Sequence, residues 1–146
     1  MQQIATDKTD TDSFLYKDLS YKLRGIFFKV ANNYGLGLKE KLYHQAIIDE
    51  LTCGRIAFQH EKQLEILSQK DGRKIGLYIP DFVIEDKIIL EIKSEPFIRQ
   101  QFYAQTYSYL RVSNFELGFI VNFGDEQLTI RRLLFTNDRK PHLQTK

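Results

Sequence analysis

A chain of 146 residues, 42% hydrophobic and 13% aromatic, is long enough for one domain with a real core and too short for two comfortable ones. Its formal charge of +2, from 21 basic residues against 19 acidic ones, admits a nucleic-acid partner without demanding one, so any basic footprint must be local. A single cysteine, Cys53, excludes an internal disulfide and a cysteine-built zinc site, and with no signal-like N-terminus and no apolar run near ~18 residues the expectation is a cytoplasmic protein with no membrane partner.

Residues 1–13 are polar and rich in Thr and Asp, with little surface to bury against their ordering entropy, so a disordered leader is expected. From Tyr21 to Asn33, Leu23, Ile26, Phe27 and Val30 recur at helical spacing, and Asn32, Asn33 and Gly35 should stop that helix. Gly35 and Gly37 make a turn. A second helix is expected over Lys39 to Leu51, where Leu42, Tyr43, Ala46, Ile47 and Leu51 keep the period and Gly54 ends it. The pattern then changes to that of strands: Gln63 to Ser68, a turn at Lys70 to Lys74, and Ile75 to Ile84. Glu85-Asp86-Lys87 turns into a strand that runs to Lys93. Phe97 to Val112 is helical again, and Phe115 to Phe123 with Gln127 to Phe135 reads as a closing pair of strands. The expected fold class is α/β (α+β), order ααβββαββ, a central mixed sheet of about four to five strands flanked by helices. It should form a single domain over residues 14–136, followed by a solvated, polar basic tail over 137–146.

If the strands flanking Glu85-Asp86-Lys87 pair through a three-residue loop, Ile84 faces Ile88 and Asp81 falls opposite Glu91. Opposed side chains lie about 4.5–5.5 Å apart at Cβ, and like charges there repel. Lys93, two residues after Glu91, shares its face and offers one compensating charge; a bound cation would offer more. Phe82, Ile84, Ile88, Leu90 and Ile92 line one face, while Ile79, Val83 and Ile89 share the face of the charges, so both faces read as covered. A surface salt bridge would explain the triplet alone.

Two helical residues shift that balance. On the helix from Phe97, Ile98, Phe102, Gln105, Tyr109 and Val112 make one stripe, in which Gln105 is the single amide and should be buried and hydrogen-bonded. On the second helix Glu40 heads a stripe with Tyr43, Ile47 and Leu51, where a carboxylate would otherwise serve the helix dipole. His44, His60 and His142 show no metal-ligand spacing, and Gly35-Leu36-Gly37 is too short for a phosphate loop.

Pro80-Asp81 followed by Glu91-Ile92-Lys93 resembles the signature of the PD-(D/E)xK nuclease superfamily, whose restriction-endonuclease-like core runs helix, three strands, helix, strand. Within it, Gly37-Leu38-Lys39-Glu40-Lys41-Leu42-Tyr43 is similar to the motif of the GxxExxY family, and Gln105-Thr106-Tyr107-Ser108-Tyr109 to a Q-x-x-x-Y helix. The resemblance implies a divalent-metal-dependent phosphodiesterase that hydrolyses DNA, with RNA second. It implies catalytic roles for Glu40, Asp81, Glu91, Lys93 and Gln105, and Mg2+, replaceable by Mn2+, held by Asp81, Glu91 and the Ile92 backbone carbonyl, with Glu40 acting through water or a second ion. Tyr43 and Tyr109 would support the site. Arg73, Lys74, Arg99 and Arg111 are the candidate nucleic-acid contacts, with Arg131 and Arg132 further along, and a homodimer would suit one site that cuts one strand at a time. The alternative is a catalytically idle module of the same fold that binds nucleic acid or a protein.

Overall fold

The spacing of Leu23, Phe27 and Val30 becomes helix α1, Lys17–Tyr34, in the computed structural model, which describes residues 2–4 and 15–144. Gly35 caps it at φ 80°, a conformation glycine takes without steric cost. Helix α2, Glu40–Cys53, buries Tyr43, Ala46, Ile47 and Leu51. The strands are β1 (Gln2–Ile4), β2 (Phe58–His60), β3 (Leu64–Leu67), β4 (Lys74–Tyr78), β5 (Phe82–Ile84), β6 (Ile88–Lys93), β7 (Leu117–Asn122) and β8 (Thr129–Leu134), and helix α3, Gln100–Val112, lies between β6 and β7.

One sheet has the order β1-β8-β7-β6-β5-β2, and β3 and β4 form a separate two-stranded ribbon. The large sheet is mixed: β6 runs parallel to β7 and β1 to β8, while the other neighbours are antiparallel. Its centre, β6 and β7, is buried on both faces, which is why Ile88 to Ile92 and Leu117 to Val121 read as near-continuous apolar runs. Against one face pack α1 and α2, whose Phe27, Tyr43, Ile47 and Leu51 meet Phe82, Ile84, Ile88, Leu90 and Ile92. Against the other, Tyr103 and Leu110 of α3 and Tyr78 of β4 join Ile89, Ile120 and Leu133. Each large apolar side chain buried this way contributes about 1.5–3 kcal/mol. The expected α/β architecture, consistent with a restriction-endonuclease-like core, is present.

Three expectations need correction. The strand foreseen over Ile75 to Ile84 is two strands in different sheets, because Pro80 has no N–H for the ladder and breaks it. Strand β2 was not foreseen; its three residues are too few to show alternation, and it forms by pairing with the edge of β5, Phe58 with Ile84 and His60 with Phe82. The segment after Thr136 makes two 3-10 turns instead of a solvated tail. Its Lys140 is fully buried, its ammonium donating to the Ser113 and Phe115 carbonyls at 2.9 and 2.6 Å, and burial pulls its pKa down to about 8. The expected leader lies mostly outside the described residues; its Gln2–Ile4 pair with β8 as an edge strand.

The turn between α1 and α2 is tied down by Tyr43. Its hydroxyl donates to the Gly35 carbonyl at 2.6 Å and accepts from the Leu38 N–H at 3.2 Å, while its ring stacks on Phe123 at 4.3 Å. Gly37 N–H donates to the Phe123 carbonyl at 2.8 Å, so the turn that leads into Glu40 is fastened to the end of β7. Tyr43→Phe keeps the stack and removes both hydroxyl bonds; it should cost about 1–2 kcal/mol, read as a lower midpoint in urea unfolding with an unchanged slope.

Candidate metal centre

Asp81 stands where the sheet, the ribbon and α2 converge. Carried past Phe82 and Leu90, the register of β5 on β6 sets Asp81 opposite Glu91 and Pro80 opposite Ile92. Pro80 ends the backbone ladder, and the Ile92 N–H donates to a side chain instead, Asp81 Oδ2 at 2.7 Å. The Asp81 N–H faces Glu91 Oε1 at 3.4 Å. The two carboxylates therefore come together as the hairpin spacing requires.

Glu91 is 7% exposed. The Tyr78 hydroxyl donates to its Oε2, and the Tyr109 ring lies flat on Tyr78 at 4.0 Å and 4°. Burial first, and the Asp81 carboxylate second, push the Glu91 pKa well above the usual carboxylate range toward neutrality. Burial and the Glu91 carboxylate likewise raise Tyr78, which stays a neutral donor. The expected compensation from Lys93 takes another form. Its ammonium lies 4.3 Å from the centre of the Phe102 ring, and it lines a groove of about 310 Å³ with Glu95, Phe97, Arg99 and Phe102. The rim of that groove is rigid. Asn122 donates to the Glu95 carbonyl and accepts from its N–H, both at 3.0 Å, and a Cβ on Gly124 would stand 2.2 Å from Glu95 N, a space that glycine alone fits.

The helix side brings two residues. Glu40 opens α2 and His44 follows one turn later, with His44 Nε2 lying 3.5 Å from Glu40 Oε2 and 3.5 Å from Asp81 Oδ2. Ligand atoms of Glu40, His44 and Asp81 all fall within 4.8 Å of one another, and those of His44, His60 and Glu61 do too. The Asp81 carboxylate raises the His44 pKa against the lowering effect of burial. Glu40 is raised as well, by burial and then by Asp81, with Lys93 opposing. Glu40, His44 and Asp81 converge, and Glu91 adjoins Asp81 across the hairpin, a donor set that fits a divalent cation: the carboxylates offer oxygens, and the buried His44 Nε2, which has no hydrogen-bond partner among the described residues, offers a nitrogen.

The sequence reading thus finds Glu40, Asp81, Glu91 and the Ile92 backbone in one place, with Lys93 on the same strand. Gln105 is different. The buried face of α3 is Tyr103, Thr106 and Leu110, roughly one residue of helical rotation away from the expected stripe, and Gln105 is exposed. Tyr43 and Tyr109 each bear on the site through contacts, Tyr43 on the turn before Glu40 and Tyr109 on Tyr78. Among the basic candidates, Arg99 lines the Lys93 groove. Arg73 is engaged by Asp71 at 2.8 Å on the ribbon tip, Arg111 lies 5.0 Å from the Phe135 ring, and Lys74 is exposed on the ribbon. His44, Tyr78 and His60 were missed. The Glu40-x-x-x-His44 spacing, one helical turn, was the readable signal for the first; nothing local marked the other two.

No helix among the described residues is long and apolar enough to cross a membrane. A family profile described as the PD-(D/E)XK nuclease superfamily matches residues 17–133. No curated protein and no solved structure matches the chain.

Glu40, His44 and Glu91 are all shifted upward, so each contributes stability that is complete below its unfolded pKa and is lost as pH rises through its folded one. The metal-free chain should melt at a higher temperature at pH 5 than at pH 8, and Glu91→Gln should remove much of that fall. Because ligands must be deprotonated, Mn2+ should raise Tm more at pH 8 than at pH 5. Calorimetric scans at both pH values check this, and an unchanged pH slope in Glu91→Gln would remove Glu91 as its source.

Proposed function

The chain belongs to the PD-(D/E)XK nuclease superfamily, and on that footing we propose that it is a divalent-metal-dependent phosphodiesterase acting on DNA, with RNA as the second substrate class. The observation that carries the reading is the Asp81 carboxylate, held by the Ile92 N–H and flanked by Glu91 on one side and by Glu40 and His44 on the other. The Gly37-to-Tyr43 motif supports placing it in the GxxExxY branch. Fold membership alone would not carry an activity; a clustered set of carboxylates whose pKa values are raised is the further support.

Asp81, Glu91 and the Ile92 carbonyl would hold Mg2+ or Mn2+, with Glu40 at its edge. When bound, such an ion supplies Lewis acidity toward a phosphoryl oxygen and toward the attacking water. Lys93 presents its ammonium at the groove between the acids and Phe102, where it stabilises negative charge developing on the phosphate. Arg99 extends that positive rim, and Gln105, on the exposed face of α3, is available to a substrate phosphate. Tyr78 keeps Glu91 in place through its hydroxyl, Tyr109 backs Tyr78, and Tyr43 secures the turn from which Glu40 rises. A homodimer would bring two such sites to a duplex, and a cytoplasmic location suits the exposed free thiol of Cys53.

The test is cleavage of linear, circular and single-stranded DNA, and of RNA, with Mg2+ or Mn2+. Asp81→Ala and Lys93→Ala should each lower the rate by about 100-fold or more. Equal cleavage by wild type and variants would overturn the site. Binding that falls steeply with salt but is accompanied by no cleavage would favour the idle module.

A further inference from the structure

His44 has two ring nitrogens in different surroundings, and the difference has a chemical consequence. Nδ1 is 3.0 Å from His60 Nε2, a hydrogen bond that orients the ring. Nε2 is buried, has no hydrogen-bond partner among the described residues, and faces two carboxylate oxygens at 3.5 Å each. An N–H···O bond prefers about 2.7–3.2 Å. Two donor atoms that share an ion at about 2.1 Å stand roughly 3.0–3.4 Å apart. At 3.5 Å from Glu40 and from Asp81, Nε2 stands just beyond both ranges, so a shared ion has only to draw the three atoms slightly inward.

The surroundings hold the ring in this pose. His44 packs against Phe82 at 5.5 Å, and His60 stacks on the same Phe82 at 4.7 Å and 29°. Glu61 donates its N–H to the Asp81 carbonyl at 2.9 Å, and its carboxylate lies 3.9 Å from His60 Nε2. Glu61 itself sits at φ 59°, a left-handed conformation that is uncommon for a residue with a side chain. With His44 Nδ1–H donating to His60 Nε2, His44 Nε2 keeps its lone pair, and an outer partner on one ring nitrogen with an ion on the other is the usual arrangement of a metal-bound histidine. The cluster opens into a groove of about 420 Å³ lined by Glu40, Gln45, His44 and His60, which gives an ion a way in.

We propose that His44 Nε2 is a direct ligand of a divalent transition ion shared with Glu40 and Asp81, and that His60 is the positioning residue that fixes the His44 tautomer. The consequence is selectivity. Mg2+ prefers an all-oxygen shell, whereas a shell with one imidazole favours Mn2+, Co2+ and their heavier neighbours. The inference deepens the metal-dependent reading of the same carboxylates and rests on it for the purpose of the ion, though not for its binding.

The experiment uses the full chain with Mn2+ or Mg2+ alone, with no nucleic acid. Calorimetric titration should give Mn2+ binding at least about tenfold tighter than Mg2+. His44→Ala should weaken Mn2+ by at least about tenfold and leave Mg2+ within about twofold, and His60→Ala should weaken Mn2+ by about 10-fold or more as a lost outer partner. Since a histidine variant can simply misfold, the deciding measurement is made on the wild type: electron spin-echo spectroscopy of bound Mn2+ should show coupling to an imidazole 14N. Absence of nitrogen coupling, or wild-type Mn2+ affinity in a folded His44→Ala, overturns the proposal. Nitrogen coupling in a chain that cleaves nothing upholds it and overturns the nuclease reading, whereas cleavage without nitrogen coupling does the reverse.

Discussion

One missing hydrogen organises the site. Pro80 cannot donate across to β6, so the hairpin ladder of Phe82, Val83 and Ile84 stops one residue short of Asp81. That leaves the Ile92 carbonyl without a donor from position 80, and beyond the break the Ile92 N–H donates to the Asp81 carboxylate at 2.7 Å. That bond fixes Asp81 beyond the last ladder pair, at the joint between the two faces of the sheet. Glu91 and Tyr78 reach it from the α3 side, and Glu40 and His44 from the α2 side. A residue with an N–H at position 80 would donate to the Ile92 carbonyl and carry the ladder past Asp81.

Assembling anions there is costly, and the fold spreads the cost over several elements. Glu91 is buried beside another carboxylate and offsets that with the Tyr78 hydroxyl, which Tyr109 holds flat from α3. On the opposite side the i,i+4 geometry of α2 stacks Glu40 and His44, and the Tyr43 hydroxyl and Gly37 N–H tie the preceding turn to Gly35 and Phe123. Lys93 does not pair with these acids; it rests on Phe102 beside the rigid Glu95 rim. The positive charge thus lines the groove beside the acids instead of pairing with them.

Both α2 and the hairpin were readable because their determinants are local. Helical spacing of Tyr43, Ile47 and Leu51, and a short polar loop between two apolar runs, need no knowledge of distant residues. The face of α3 was misjudged for the opposite reason. Phe102, Gln105 and Tyr109 keep a helical period as well as Tyr103, Thr106 and Leu110 do, and the sheet selects the second set by packing Leu110 and Tyr103 against Ile89, Ile120 and Leu133. Gln105 is exposed as a result.

Asp81 opposite Glu91 follows from the amino-acid sequence by itself, because a strand alternates with period two and a three-residue loop fixes the register, and so do Lys93 on the same face and Glu40 in the first turn of a helix. Only the tertiary structure decided which other side chains reach Asp81. His60 and Glu61 arrive on a three-residue strand that exists by pairing with β5, and Tyr78 arrives on a ribbon that Pro80 has split from the sheet. His44 stood in plain view at one helical turn from Glu40, but its meaning lies in the 3.5 Å gap to Asp81, a distance across some forty residues of chain that strand pairing and helix packing set together and no local spacing contains.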